Sequence, residues 1–168
     1  MAKTYLDQLV EYPAKIIQRI SEDKYCVGFL MNKGFEEVNE DDFDEALEKN
    51  IFDYQYVDEA AEETSAYLWV EIEVSKVENK TIKGIRLYIT VICHKSFMRL
   101  NKKTYKGVIG NRRDNIARYV DRLFNGKALL GIGSFKLASV RTITAPAKYT
   151  GRELCYEISD FNVVEIDE

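Results

Sequence analysis

The stretch YLWVEIEVSKVENKTIKGIRLYITVICH, residues 67–94, decides the fold. In its first part Leu68, Val70, Ile72 and Val74 share one face, and Tyr67, Trp69, Glu71 and Glu73 share the other. That two-residue period belongs to a strand. Glu78-Asn79-Lys80-Thr81 has the composition of a turn. Residues 82–94 then alternate again, with Ile85, Leu87, Ile89, Val91 and Cys93 on one side. Two such runs across a short turn predict a long antiparallel hairpin with one buried side.

On the N-terminal side the period changes to that of a helix. Tyr5, Leu6, Leu9 and Val10, then Ile16, Ile17 and Ile20, recur at helical spacing. Pro13 marks a fresh start or a kink. Ser21 reads as the N-cap of a further stretch through Tyr25, Cys26, Phe29 and Leu30, which Gly34 ends. Asn39 reads as the cap of a short helix whose first turn holds Glu40, Asp41 and Asp42. Phe43 and Leu47 form its apolar pair, and Asn50 stops it. Residues 51–57 are rich in β-formers.

On the C-terminal side residues 95–110 are irregular and basic. Residues 111–124 are the clearest helix, with Ile116, Tyr119, Val120 and Leu123 on one face and Asp114–Arg118 as an i, i+4 pair. Asn125-Gly126 ends it. Residues 132–144 and 152–163 read as two more strands. Adjacent strands with helices set apart predict an α+β fold, a mainly antiparallel sheet with helices packed on one face.

The 168 residues, 46% hydrophobic and 31% charged, are enough to bury a real core, so a single domain over 1–168 is expected and disorder is not. No apolar run reaches membrane-spanning length, and the first residues lack a signal-peptide apolar region. These features predict a protein that stays in the cytoplasm where it is made. Cys26, Cys93 and Cys155 are odd in number and widely spaced, as small core residues are. A net charge of −4 weighs against a dedicated nucleic-acid binder.

Chemistry-bearing motifs are sparse, and the expectation is that the chain is not an enzyme. His94 is the sole histidine, and Cys93 beside it on a strand points to the opposite face, so the two form no dyad. Gly131-Ile132-Gly133-Ser134 follows a helix and opens a strand, the reverse of a phosphate loop, and reads as a bend. Asp41, Asp42, Asp44 and Glu45 lack the alternation and central glycine of a calcium loop. Neither metal nor cofactor is expected.

The informative feature is charge segregation. Residues 35–73 hold fifteen Asp and Glu against Lys49, whereas residues 95–127 hold ten Lys and Arg against Asp114 and Asp121. Opposite patches on one chain suit a head-to-tail contact between copies, which makes a ring if the rotation closes. The candidate cations are Lys102, Lys103, Arg112, Arg113, Arg118 and Arg122, and the candidate anions are Glu62, Glu63, Glu71 and Glu73. Tyr67 and Trp69, opposite the core stripe, are the candidate exposed interface aromatics. Phe97 and Tyr105 among the loop cations also fit nucleic-acid binding, although assembly is the preferred reading.

The order of elements resembles that of the tail terminator (tail completion) proteins of tailed bacteriophages, the family of the lambda minor tail protein U type. Residues 6–30 correspond to its N-terminal helix, 51–94 to its extended segment and hairpin, 111–124 to its helix and 132–163 to its last two strands. Gly110-Asn111-Arg112-Arg113-Asp114-Asn115-Ile116, Gly131-Ile132-Gly133 and Asp160-Phe161-Asn162 also resemble stretches of phage neck and tail proteins of Gram-positive hosts. The acidic helix at 42–49 and the long basic loop depart from the family pattern. The resemblance implies a structural protein of the virion neck. It would form a homohexameric ring that caps the tail tube, stops polymerisation of the tube protein, and meets head-closure or connector proteins. DNA would pass through its channel unread. A head-tail connector or other tail subunit, and a nucleic-acid-binding accessory protein, are the alternatives.

Overall fold

The computed structural model describes residues 5–57, 65–78, 81–129, 131, 133–146 and 148–158. It contains four α-helices, α1 Tyr5–Ser21, α2 Lys24–Met31, α3 Glu40–Lys49 and α4 Arg112–Phe124. Five strands, β1 Ile51–Phe52, β2 Ala66–Glu78, β3 Thr81–His94, β4 Phe135–Ile143 and β5 Tyr149–Ile158, form one sheet in the order β1-β2-β3-β5-β4. All neighbours are antiparallel except β1 and β2. The predicted α+β class and the hairpin are therefore present, with Leu68 opposite Val91, Val70 opposite Ile89 and Glu78 opposite Thr81.

The helices cover one sheet face. Ile16 and Ile20 of α1, Phe29 of α2 and Ile116, Val120 and Phe124 of α4 share a cluster with Leu68, Leu87, Ile89 and Tyr156 of the strands. Each fully buried Ile or Leu here contributes about 1.5–3 kcal/mol. Pro13 lies inside α1, which continues through it as one helix. Leu6 and Val10, at its start, are 71% and 74% exposed, so the apolar stripe of α1 is buried only further along.

Local chemistry sets the helix ends. Ser21 does not cap α2. It ends α1, and its hydroxyl donates to the Gln18 carbonyl. The cap is Asp23, whose Oδ1 accepts from the Tyr25 and Cys26 amides at 3.1 and 2.8 Å. Helix α2 ends at Asn32, whose φ of 59° is the left-handed turn Asn tolerates. Asn39 caps α3 in a reciprocal box with Asp42. In α4 the expected Asp114–Arg118 pair is replaced by other partners. Asp114 is held by Arg113, Arg152 and Asn111.

The sheet's other face is not simply solvated. Tyr67, Trp69, Ile92 and Tyr149 are buried there beneath Phe52, Tyr56 and Val57, with Ile143 and Ala145 alongside. The β-former run at 51–57 gives only two strand residues because its aromatics fold over as this cover. The Phe52 and Tyr56 rings pack at a tilt with centroids 4.4 Å apart, and Tyr56 meets Tyr67 edge-on at 5.4 Å. The strand ends expected at Ile132 and at residues 159–163 lie outside the described residues.

Candidate functional site

Residues 95–111 join β3 to α4 and form a basic loop fastened from beneath. Its anchor is Arg112, 1% exposed. The guanidinium donates to the Phe97 carbonyl (Nε, 2.9 Å), the Phe29 carbonyl (Nη1, 2.6 Å) and Asn32 Oδ1 (Nη2, 2.7 Å). It lies 3.8 Å from the Phe97 ring centroid, a cation–π contact. The Tyr105 hydroxyl donates to the Gly28 carbonyl at 2.7 Å. Together Arg112 and Tyr105 satisfy carbonyls at the negative C-terminal end of α2. Asn115 Nδ2 holds the Ile109 carbonyl at 2.9 Å and the Asn111 carbonyl at 2.8 Å.

Above these anchors Arg99, Lys102, Lys103 and Lys106 are exposed, and none makes an ion pair among the described residues. Gly107 and Gly110, at φ 78° and 86°, frame the loop tip and present Ile109, 80% exposed. On α4, Arg118 and Arg122 are exposed and lie 5.2 and 4.9 Å from the Tyr119 ring centroid.

The acidic half is built around α3. Lys33 pairs with Asp42, Lys24 with Glu36 at 2.8 Å and Lys49 with Glu45 at 2.9 Å. A groove of about 650 Å³ opens between α1, α3 and β1, floored by Ile17, Phe43, Leu47 and Ile51 and rimmed by Glu22, Asp44, Glu48 and Asp53. Among the described residues its lining includes no lysine or arginine. Asp44, Glu48 and Asp53 make no ion pair among the described residues.

The residues singled out from sequence separate into three groups. Lys102, Lys103, Arg118, Arg122, Glu71 and Glu73 are exposed as expected, with Glu71 and Glu73 on the outer sheet face, where Tyr88 donates to Glu73 at 2.9 Å. Tyr67 and Trp69, expected exposed, are 6% and 3% exposed within the subunit, because residues 52–57 cover them. Arg112 and Arg113, expected as surface cations, are inside. Arg113 is 9% exposed, donates to Thr150 Oγ1 at 2.6 Å and pairs with Asp114 at 3.0 Å. Glu62 and Glu63 lie outside the described residues. Composition gave no hint of the groove. Gly107-Val108-Ile109-Gly110, an apolar pair between glycines, was the available signal for the loop tip.

No loop cation meets a groove carboxylate within the described residues, so the two regions do not neutralise each other inside one subunit. The family model of YomW matches residues 21–158, from the last residue of α1 to the last of β5. The chain belongs to the YomW family. This family is phage-associated. The matched YomW region contains the anchored loop, α3, α4 and all five strands. No curated protein and no solved structure matches the chain.

His94 and the cysteines take structural places in this YomW-family fold. His94 Nδ1 accepts from the Ser96 amide at 3.2 Å, capping the turn that opens the loop. Cys26 and Cys93 are in the core, and Cys155 is buried opposite Tyr88 on the outer face. Burial pushes the Cys93 thiol up to about 12, with Arg112 and Arg113 opposing, and pushes the Cys26 thiol well up. Neither is poised as a nucleophile at neutral pH.

Proposed function

We propose that this chain is a non-catalytic structural protein of the virion neck, of the tail-terminator type. Copies join head to tail in a ring, a hexamer as in the family it resembles. The ring caps the tail tube, stops polymerisation of the tube protein and meets the head-closure proteins, while DNA passes through its channel. Membership of a phage-associated family supports a virion role, and the element order supports the terminator type.

One observation carries the reading. Cations without an ion pair among the described residues stand on an anchored loop, and carboxylates without one stand on a different element of the same chain. Repeated in a ring, that arrangement gives every copy a complementary neighbour. Lys102, Lys103, Arg118 and Arg122 supply positive charge, and Glu71 and Glu73 are further anionic contacts. Size-exclusion chromatography with light scattering at low salt, with electron microscopy of the peak, tests it. A ring-sized species is expected. A strict monomer at high concentration, with no ring in particles, would sink the reading.

A further inference from the structure

The loop tip and the α1–α3–β1 groove both present apolar side chains, and the charges around them are opposite in sign. Ile109 is 80% exposed, the most exposed of the large apolar side chains among the described residues. The tip is held rather than free. Asn115 fixes the Ile109 carbonyl, and Arg112 and Tyr105 fasten the loop to α2. Between Arg99 and Gly110 the chain has four cations and no acidic residue: Arg99, Lys102, Lys103 and Lys106.

The groove has the opposite character. Leu47, 41% exposed, and Phe43, partly buried against the core, form an apolar floor. Four carboxylates rim it, Glu22, Asp44, Glu48 and Asp53. Glu22 accepts from Gln18 at 2.9 Å, and the other three have no ion-pair partner among the described residues. Its volume of about 650 Å³ exceeds that of a single isoleucine and leaves room for the tip backbone with its glycines. An apolar centre inside a charged rim is the anatomy of a specific protein contact.

We propose that the tip at residues 107–110 of one copy seats in the α1–α3–β1 groove of the next. Ile109 packs on Leu47 and Phe43, and Lys102, Lys103 and Lys106 face Asp44, Glu48 and Asp53. This rests on the assembly reading above and adds its register. The contact is heterologous, since each copy uses its tip on one neighbour and its groove on the other. Such a contact propagates from copy to copy and makes a ring if its rotation closes.

Paired charge reversals in the full chain test it. K102E/K103E and D44K/E48K each alter exposed residues, so circular dichroism should show unchanged folding, and each should abolish assembly. I109D should raise the concentration needed for assembly by roughly tenfold or more. The variant carrying all four reversals should assemble again. Separately purified L47C and I109C proteins, mixed and oxidised, should form a disulfide between the two. Assembly that survives I109D and both reversals overturns this contact and leaves the ring reading standing. Loss of assembly with no recovery in the combined variant and no cross-link overturns the pairing of tip with groove. A wild-type protein that is monomeric under all conditions overturns both.

Discussion

Arg112, in the first turn of α4, donates from Nη1 to the Phe29 carbonyl in the last turns of α2 at 2.6 Å. A positive group at that position opposes the dipole of its own helix and favours the end of the other. Among the described residues no carboxylate pairs with Arg112. Backbone carbonyls, Asn32 and aromatic faces hold the charge. Arg112→Ala would orphan the Phe29 and Phe97 carbonyls and empty a buried site. The expected loss is about 3–5 kcal/mol, from roughly 1–3 kcal/mol for each orphaned carbonyl together with the lost packing. Arg112→Lys should recover only part of it, because an ammonium cannot reproduce the planar fork. Urea unfolding of both variants measures this, and a loss under about 1 kcal/mol for the alanine variant would refute the account.

Acid should weaken the fold through two carboxylates. Lys33 and the Asn39 amide hold Asp42 below the usual carboxylate range against the opposing effect of burial. At Asp114 burial pushes upward, but Arg113, Asn111 and Arg152 outweigh it and the carboxyl sits low. A depressed native value means that the unfolded chain binds more protons in acid. The stabilisation is complete above the unfolded value of about 4 and is lost as pH falls through the native value. The urea midpoint should be flat from about pH 7 to 5 and drop below about pH 4. Asp114→Asn should be less stable at neutral pH and show a shallower acid decline; an unchanged decline would remove Asp114 from the explanation.

Gly151 on β5 faces Ile92 and Ile143 across its two neighbours. A Cβ there would collide with Ile143 Cγ1 and come within 2.7 Å of Ile92 Cδ1. In an open strand Gly→Ala gains about 0.5–1 kcal/mol from lost chain freedom. Overpacking costs about 1–3 kcal/mol, so the collision wins. Gly151→Ala should lower the melting temperature, and Ile143→Ala added to it should restore part of the loss. A neutral or stabilising Gly151→Ala would contradict this packing.

Native protein should be inert to a thiol reagent at pH 8. Cys26, Cys93 and Cys155 are all buried, and burial raises each thiol. Three thiols should react in denaturant and none rapidly without it. Fast labelling of a native thiol would show that the core opens more readily than its packing implies.

The hairpin, α4 and the Asn39 cap were legible in sequence because their signals are local. Leu68, Val70 and Ile72 repeat at two residues, Ile116, Tyr119, Val120 and Leu123 recur at helical spacing, and Asn39 stands just before the acidic turn Glu40-Asp41-Asp42. Tyr67 and Trp69 were placed on the correct face, but alternation cannot reveal what covers that face. Their cover comes from residues 52–57, which sequence patterning assigned to a strand. Arg112 was misplaced for the same reason. Its acceptors Phe29 and Asn32 are far away in sequence, and no periodicity links a guanidinium to the end of another helix. A ring would rest on contacts between copies, which no pattern within one chain spells out.

The strand order has a consequence during synthesis. β3 pairs early with its hairpin partner β2, whereas its other neighbour, β5, emerges only after residues 95–148. Until then the inner edge of β3 and the apolar row Ile85, Leu87 and Ile89 lack their last cover, a state prone to sticking to other nascent chains. Polypeptides cut before Tyr149 should therefore sediment with the insoluble fraction, while the intact chain stays in the supernatant. A soluble, protease-resistant fragment of that length would mean the hairpin and helices shield themselves.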